Sequence, residues 1–333
     1  MDFRLTRDQR DVRAGVRALL AGRYGREALR SDVERAAGAG VEPGAGAAPG
    51  AGVDRSLWRE LGEAGFFSLR LPESEGGAGL GLPEAVLVFE EAGRVLLPGP
   101  LVATHLAAGV VPGAASGAAV VTAFDLDGPL VAHLGGADAV LGMPEVPAGV
   151  PVRSADPLTP LWRARGVLPA GYRDTGALLT AALQAGSALR TVELAVRYAG
   201  EREQFGQPIG GFQAVKHLCS GMLVRAEVAR TAVYAAAVTG DSAEIAAAKM
   251  LADGAAVRGA RDCLQVYGGM GFTWEADVHL HLKRAWVRAE QWRTAAGAEE
   301  LLAEALLTEA SASASASASA SASASASASA SAG

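Results

Sequence analysis

Two runs in the second half of the chain gather side chains suited to holding a phosphate-bearing dinucleotide. The first runs from Tyr198 through Arg202, Phe205, Gly206, Pro208, Ile209 and Phe212 to Gln213. The second places Gln265 ahead of Gly268, Gly269, Gly271, Phe272 and Thr273. Arg202 offers a planar fork of donors that matches a pyrophosphate. Phe205 offers an apolar face for a ring, and the Gln213 and Gln265 amides can pair with base, ribose or phosphate edges. Gly268 and Gly269 let a backbone come close to a ligand, because they carry no Cβ. Each feature also has a plainer reading. Arg202 and Glu203 could form a solvated surface pair, and the two glycines a helix C-cap.

Elements of the right kind surround these runs. Apolar residues at Val12, Val16, Leu19 and Leu20 predict a helix from Asp8 to about Leu29. Ala36 to Gly52 is a Gly/Ala/Pro stretch and reads as a mobile loop or small insertion. Helical spacing resumes at Ser56, Trp58, Leu61 and Ala64. A glycine-rich turn spans 76–81, and an apolar helix runs from Pro83 to about Leu96. Between Pro98 and Pro169 short runs such as 119–123 and 139–141 predict a small β region of about four to six strands. Long helices follow at about 174–200, 212–239, 241–267 and 277–306, enough for a four-helix bundle. The expected fold is mainly α. It has an N-terminal helical domain (1–97), a reduced central β domain (98–170), a C-terminal helical bundle that binds the cofactor (171–308) and a disordered Ser/Ala tail (309–333).

Composition removes several function classes. A formal net charge of -6 argues against nucleic-acid binding. Half the residues are hydrophobic, yet no run is long and uncharged enough to span a bilayer, and the N-terminus lacks the apolar core of a secretory signal. Cys219 and Cys263 have neither disulfide-framework nor zinc spacing and suit a reducing cytosol. Asp277, His279 and His281 form Asp-x-His-x-His, but positions i and i+2 of a helix do not share a face, so no metal site is expected.

The two runs resemble the signature segments of the acyl-CoA dehydrogenase family in both residue type and order. The resemblance extends more loosely to Met1-Asp2-Phe3, Leu71-Pro72-Glu73 and Val88-Phe89-Glu90-Glu91-Ala92-Gly93. It implies FAD as cofactor, held by Arg202, Phe205, Gln213, Gln265, Gly268, Gly269 and Thr294, some of these reaching the cofactor of a neighbouring subunit. It also implies α,β-desaturation of an acyl-CoA or other acyl thioester, a place in fatty acid or lipid metabolism, and electrons passed to an electron-transfer flavoprotein.

The sequence departs from this family where chemistry is expected. Members take the α-proton with a Glu that precedes Gly-Thr, and that position falls on Trp292, followed by Arg293 and Thr294. Others carry the Glu on the first helix of the C-terminal region, and that position falls on Gly176. Two nearby carboxylates are alternative bases: Glu290, and Asp174, whose alignment favours a substrate-binding role. Glu275 could be a third, or a helix N-terminal charge. His133, in a middle region lacking the family's flavin-contacting loop, could neighbour a flavin or be an ordinary core histidine. The chain resembles small members with a reduced β domain, several of which pair with a catalytically complete subunit and share FAD across unlike chains. A homo- or hetero-oligomer with another acyl-CoA dehydrogenase subunit is therefore expected. The alternative is a non-catalytic subunit that completes a partner's site.

Overall fold

The computed structural model describes residues 4–38, 53–308 and 310–311. The Gly/Ala/Pro stretch beyond residue 38 and the Ser/Ala tail beyond residue 311 lie outside the described residues. The first predicted helix is two helices, α1 (Arg7–Arg23) and α2 (Arg26–Gly38). Thr6 starts α1 with a capping box, its hydroxyl accepting from the Gln9 amide while the Gln9 side chain bonds back to the Thr6 N–H. The chain turns at Tyr24-Gly25, where the buried Tyr24 ring donates its hydroxyl to Asp32 at 2.9 Å. Asp54 caps α3 (Arg55–Glu63), and Pro83 lies in the first turn of α4 (Leu82–Arg94).

The middle region opens with a short helix, α5 (Leu101–Ala107), where strands were expected. Five short strands follow: β1 (Val121–Thr122), β2 (Leu130–Ala132), β3 (Ala139–Val140), β4 (Val150–Val152) and β5 (Leu161–Arg163). β1 pairs with β3 in parallel, and β5 lies between β2 and β4 in antiparallel register. Phe124, Val131, Leu134, Val140, Trp162 and Ala164 give this region its own apolar cluster.

The bundle is built on α6 (Arg173–Glu201), which is buried along most of its length and packs on α4, α7 (Gln213–Thr239) and α8 (Ser242–Tyr267). Small residues bring α4 and α6 into backbone contact. A Cβ at Gly93 would overlap the Leu183 carbonyl, and one at Gly186 the Glu90 carbonyl. The predicted fourth helix is broken. α9 (Val278–Ala289) ends at Glu290, and a new helix occupies 295–308. The break serves the site described next. A two-residue ladder between α6 and α7, β6 (Glu203–Gln204) with β7 (Gln207–Pro208), completes the chain.

Candidate functional site

The break after α9 places Trp292 against Gly176. A Cβ on Gly176 would fall within the Trp292 indole, so the two positions that sequence counting offered for a catalytic carboxylate are one place in space. The indole fills that place and is 1% exposed. Trp292 holds a left-handed φ of +62°, unusual for a bulky residue. Long-range bonds fix it there. Its N–H donates to the Asp125 carbonyl at 2.5 Å, its carbonyl accepts from Arg173 Nη1 at 2.9 Å, and Gln291 bridges to Leu126. The cavity left beside the indole has a volume of ≈ 30 Å³, room for roughly two waters.

Neither alternative base faces an acyl-sized cavity beside the indole. Asp174, in the first turn of α6, is clamped by the Arg293 guanidinium and accepts from Ser242 Oγ at 2.5 Å. It ties α6, α8 and the 291–294 link together. Glu290 ends α9 with its side chain exposed. Glu275 is exposed, and its carbonyl accepts from Arg26. Asp277 is held by Arg26 and Arg30, His281 bonds Ser187 Oγ at 2.7 Å, and His279 lies edge-on to Trp274.

The carboxylate that does face the cavity is Asp125, which no motif marks. Only its fold position, at the end of β1 against the 291–292 link, reveals it. Burial pushes its pKa up to about 7, against the pull of its own backbone N–H, the Gln291 Nε2 bond at 2.9 Å and the Lys249 charge. His133, buried with φ +59°, lines the same cavity, and burial lowers its pKa to about 3. An ordinary unfolded Asp ionises near 3.9, so between about pH 4 and pH 7 the folded state binds the extra proton. The contribution of Asp125 to stability is therefore full below about pH 4 and is lost as pH rises through 7. Asp125→Asn is expected to flatten the fall of stability with pH in that window by up to about 1.4 kcal/mol per pH unit. Urea midpoints of the two proteins across pH 4.5–7.5 check it; equal slopes would show that Asp125 ionises normally.

The other predicted residues lie at the far end of α6. Arg202 caps its C-terminus, about 39 Å from Gly176 at 1.5 Å per residue. Tyr198 stacks on Tyr267 with centroids 4.0 Å apart and planes 13° apart, joining this end of α6 to the end of α8. Arg202, Phe205, Gln213, Gln265, Gly268 and Gly269 thereby gather at one end of the bundle, all exposed. Thr294 does not join them. It sits beside Trp292, its hydroxyl accepting from the Gly297 N–H as the cap of the 295–308 helix. Thr294 and Arg202 therefore lie at opposite ends of α6.

The exposed end presents donors and apolar faces to the surface. Among the described residues Arg202 has no carboxylate partner, so it is not paired with Glu203. Phe205 is 93% exposed at φ +55° and packs edge to face on Phe212. Gly268 caps α8 at φ +59°, ψ −140°, a combination a Cβ disfavours. A Cβ on Gly268 or Gly269 would meet no atom of the described residues within 4 Å, so the space beside both is open. Phe272 and Trp274, 76% and 59% exposed, extend the apolar surface around this end.

Comparison with known proteins agrees with this architecture. Residues 24–118 match the family model described as acyl-CoA dehydrogenase, N-terminal domain, and residues 174–310 match acyl-CoA dehydrogenase, C-terminal domain. The acyl-CoA dehydrogenase IpdE2 of Mycobacterium tuberculosis is 38% identical over 259 residues, covering 70% of this chain and 81% of IpdE2. The acyl-CoA dehydrogenase FadE34 of the same organism is 36% identical over 282 residues, but the match covers only 39% of FadE34. Among solved structures, the ChsE4-ChsE5 complex from Mycobacterium tuberculosis superposes with TM-score 0.77 at 23% identity, covering 92% of this chain and 99% of that one. Butyryl-CoA dehydrogenase from Megasphaera elsdenii gives 0.75 at 20% identity, covering 92% and 100%. The fold is thus the acyl-CoA dehydrogenase fold. The chain belongs to the acyl-CoA dehydrogenase family, whose members are oxidoreductases.

Proposed function

We propose that this chain is a subunit of an FAD-dependent acyl-CoA dehydrogenase that desaturates an acyl thioester, and that the proton-abstracting carboxylate comes from a different subunit. The observation that carries the reading is Trp292 seated on Gly176, which fills the place of the base with an indole and leaves ≈ 30 Å³ beside it. General-base catalysis needs a carboxylate within hydrogen-bond reach of the α-carbon, and neither the indole nor so small a cavity permits that. FAD, when bound, accepts the hydride from the β-carbon.

The residues at the Arg202 end make this chain's own contribution. The Arg202 guanidinium pairs with the pyrophosphate, and Phe205 covers a ring face. Gln213 and Gln265 bond the nucleotide edges, while the Gly268-Gly269 backbone closes on the cofactor. Because all of these are exposed, with no carboxylate partner for Arg202 among the described residues, the cofactor they serve is one carried by a neighbouring subunit. The partner is a fuller family member in a hetero-oligomer, and an electron-transfer flavoprotein accepts the electrons. Two free cysteines suit a cytosolic setting, and no helix among the described residues is long and apolar enough to cross a membrane.

The same plugged site supports a second reading, in which the chain performs no chemistry and only completes the partner's cofactor site. Flavin absorbance of the chain alone, and of the chain co-expressed with a full-length family member, tests the shared-site reading. Bands only in the co-expressed complex support it.

A further inference from the structure

We propose that the cavity between the β region and α9 is a binding site for one small monovalent anion of the chloride class, held by Arg284 and Arg288. Both arginines lie on α9, one helical turn apart, and both line the cavity. They are 3% exposed. Their surroundings contain too little negative charge. Asp156, which is 0% exposed, pairs with Arg284 Nε and is otherwise occupied by the Leu158 N–H at 3.0 Å and the Thr159 hydroxyl at 2.6 Å. Arg284 Nη1 bonds the Leu97 carbonyl at 3.2 Å, and its Nη2 is buried with no partner.

Arg288 is the uncompensated charge. Among the described residues it forms no ion pair, and the one hydrogen bond of its guanidinium is a long 3.5 Å contact to the Leu183 carbonyl. The other candidate counter-charges are already used or neutral. Asp253 is matched by Lys249, and burial raises the Asp125 pKa to about 7, which leaves it mostly neutral below that pH. Burial and the Arg284 charge both act against Arg288, yet a guanidinium does not readily shed its proton. An unpaired buried charge is strongly unfavourable, so a counter-ion is the simplest way to satisfy it. The His133 Nδ1, also buried without a partner, and Thr180 line the same space. The volume of ≈ 30 Å³ admits a halide with a water, but not an acyl chain.

The test uses the full chain. Crystals grown in bromide, with data collected at the bromine edge, are expected to show an anomalous peak between Arg284 and Arg288. The melting temperature is expected to rise in chloride relative to gluconate at equal ionic strength, by roughly 2–4 °C per tenfold increase above Kd. Arg288→Met is expected to fold, since it removes an unpaired buried charge, and to lose the halide dependence. If that variant does not fold, the bromide peak in the natural chain decides. No peak in bromide, with a melting temperature indifferent to halide, would mean that the cavity holds water only and would overturn the proposal.

Discussion

Replacing Trp292 with alanine is expected to cost this chain about 3–5 kcal/mol of folding stability, the range for removing a fully buried aromatic side chain. The cost arises because the pocket cannot collapse. One wall is the backbone of α6 at Gly176, and the Trp292 main chain is pinned on both sides by Asp125 and Arg173. Urea unfolding of the chain measures it. The proposed role adds a second expectation. Because the indole occupies a place that this subunit does not use for chemistry, the turnover of the assembled enzyme, per folded complex, should change little. A variant that assembles fully but loses turnover would mean that Trp292 touches the reacting thioester.

The second large effect is expected at the other end of the bundle. Arg202→Ala should raise the dissociation constant of flavin from the assembled enzyme by about 10- to 150-fold, the equivalent of one charge-assisted bond of about 1.5–3 kcal/mol. Glu201→Ala, one residue away and also exposed, should leave flavin retention unchanged. Ultrafiltration of the complex followed by flavin absorbance in the filtrate compares the two. The contrast matters because both substitutions remove a surface charge, and only Arg202 presents a fork that matches a pyrophosphate. Equal retention in the two variants would remove Arg202 from the cofactor site.

Much of the architecture is legible from local pattern, and the exceptions have a common cause. α4, α6, α7 and α8 follow long apolar stretches with clear ends, such as Pro83 in the first turn of α4, Asp241 before α8 and Gly240 after α7. The end of α9 carries no such signal. From Ala289 to Ala295 the sequence has neither Gly nor Pro, so a continuous helix to residue 306 was the natural expectation. The break is imposed from a distance, by Leu126 bridging Gln291 and by the indole seating on Gly176. The turn at Tyr24-Gly25 was locally marked by its glycine, but the apolar spacing on either side masked it.

The same distinction governs the candidate site. The Arg202 end was readable because its residues are close in sequence and their chemistry is fixed by side-chain type. That Thr294 belongs to the opposite end was not readable, since the separation depends on the length of α6 lying between them. Asp125 and Arg288 escaped notice for another reason. A lone acidic or basic residue in a sequence reads as a surface charge, and only the packing of β1 against the 291–292 link and of α9 against α6 buries them.

The most direct test of the account is the visible spectrum of this chain purified alone, set beside that of its complex with a full-length family member. The account predicts no flavin bands from the lone chain, because its exposed Arg202 end serves a cofactor bound in another subunit and its own base position is filled by Trp292. It predicts flavin bands from the complex. Stoichiometric flavin retained by the lone chain would contradict the shared site, and would return Asp174, Glu290 and Asp125 to consideration as the base of a self-sufficient enzyme.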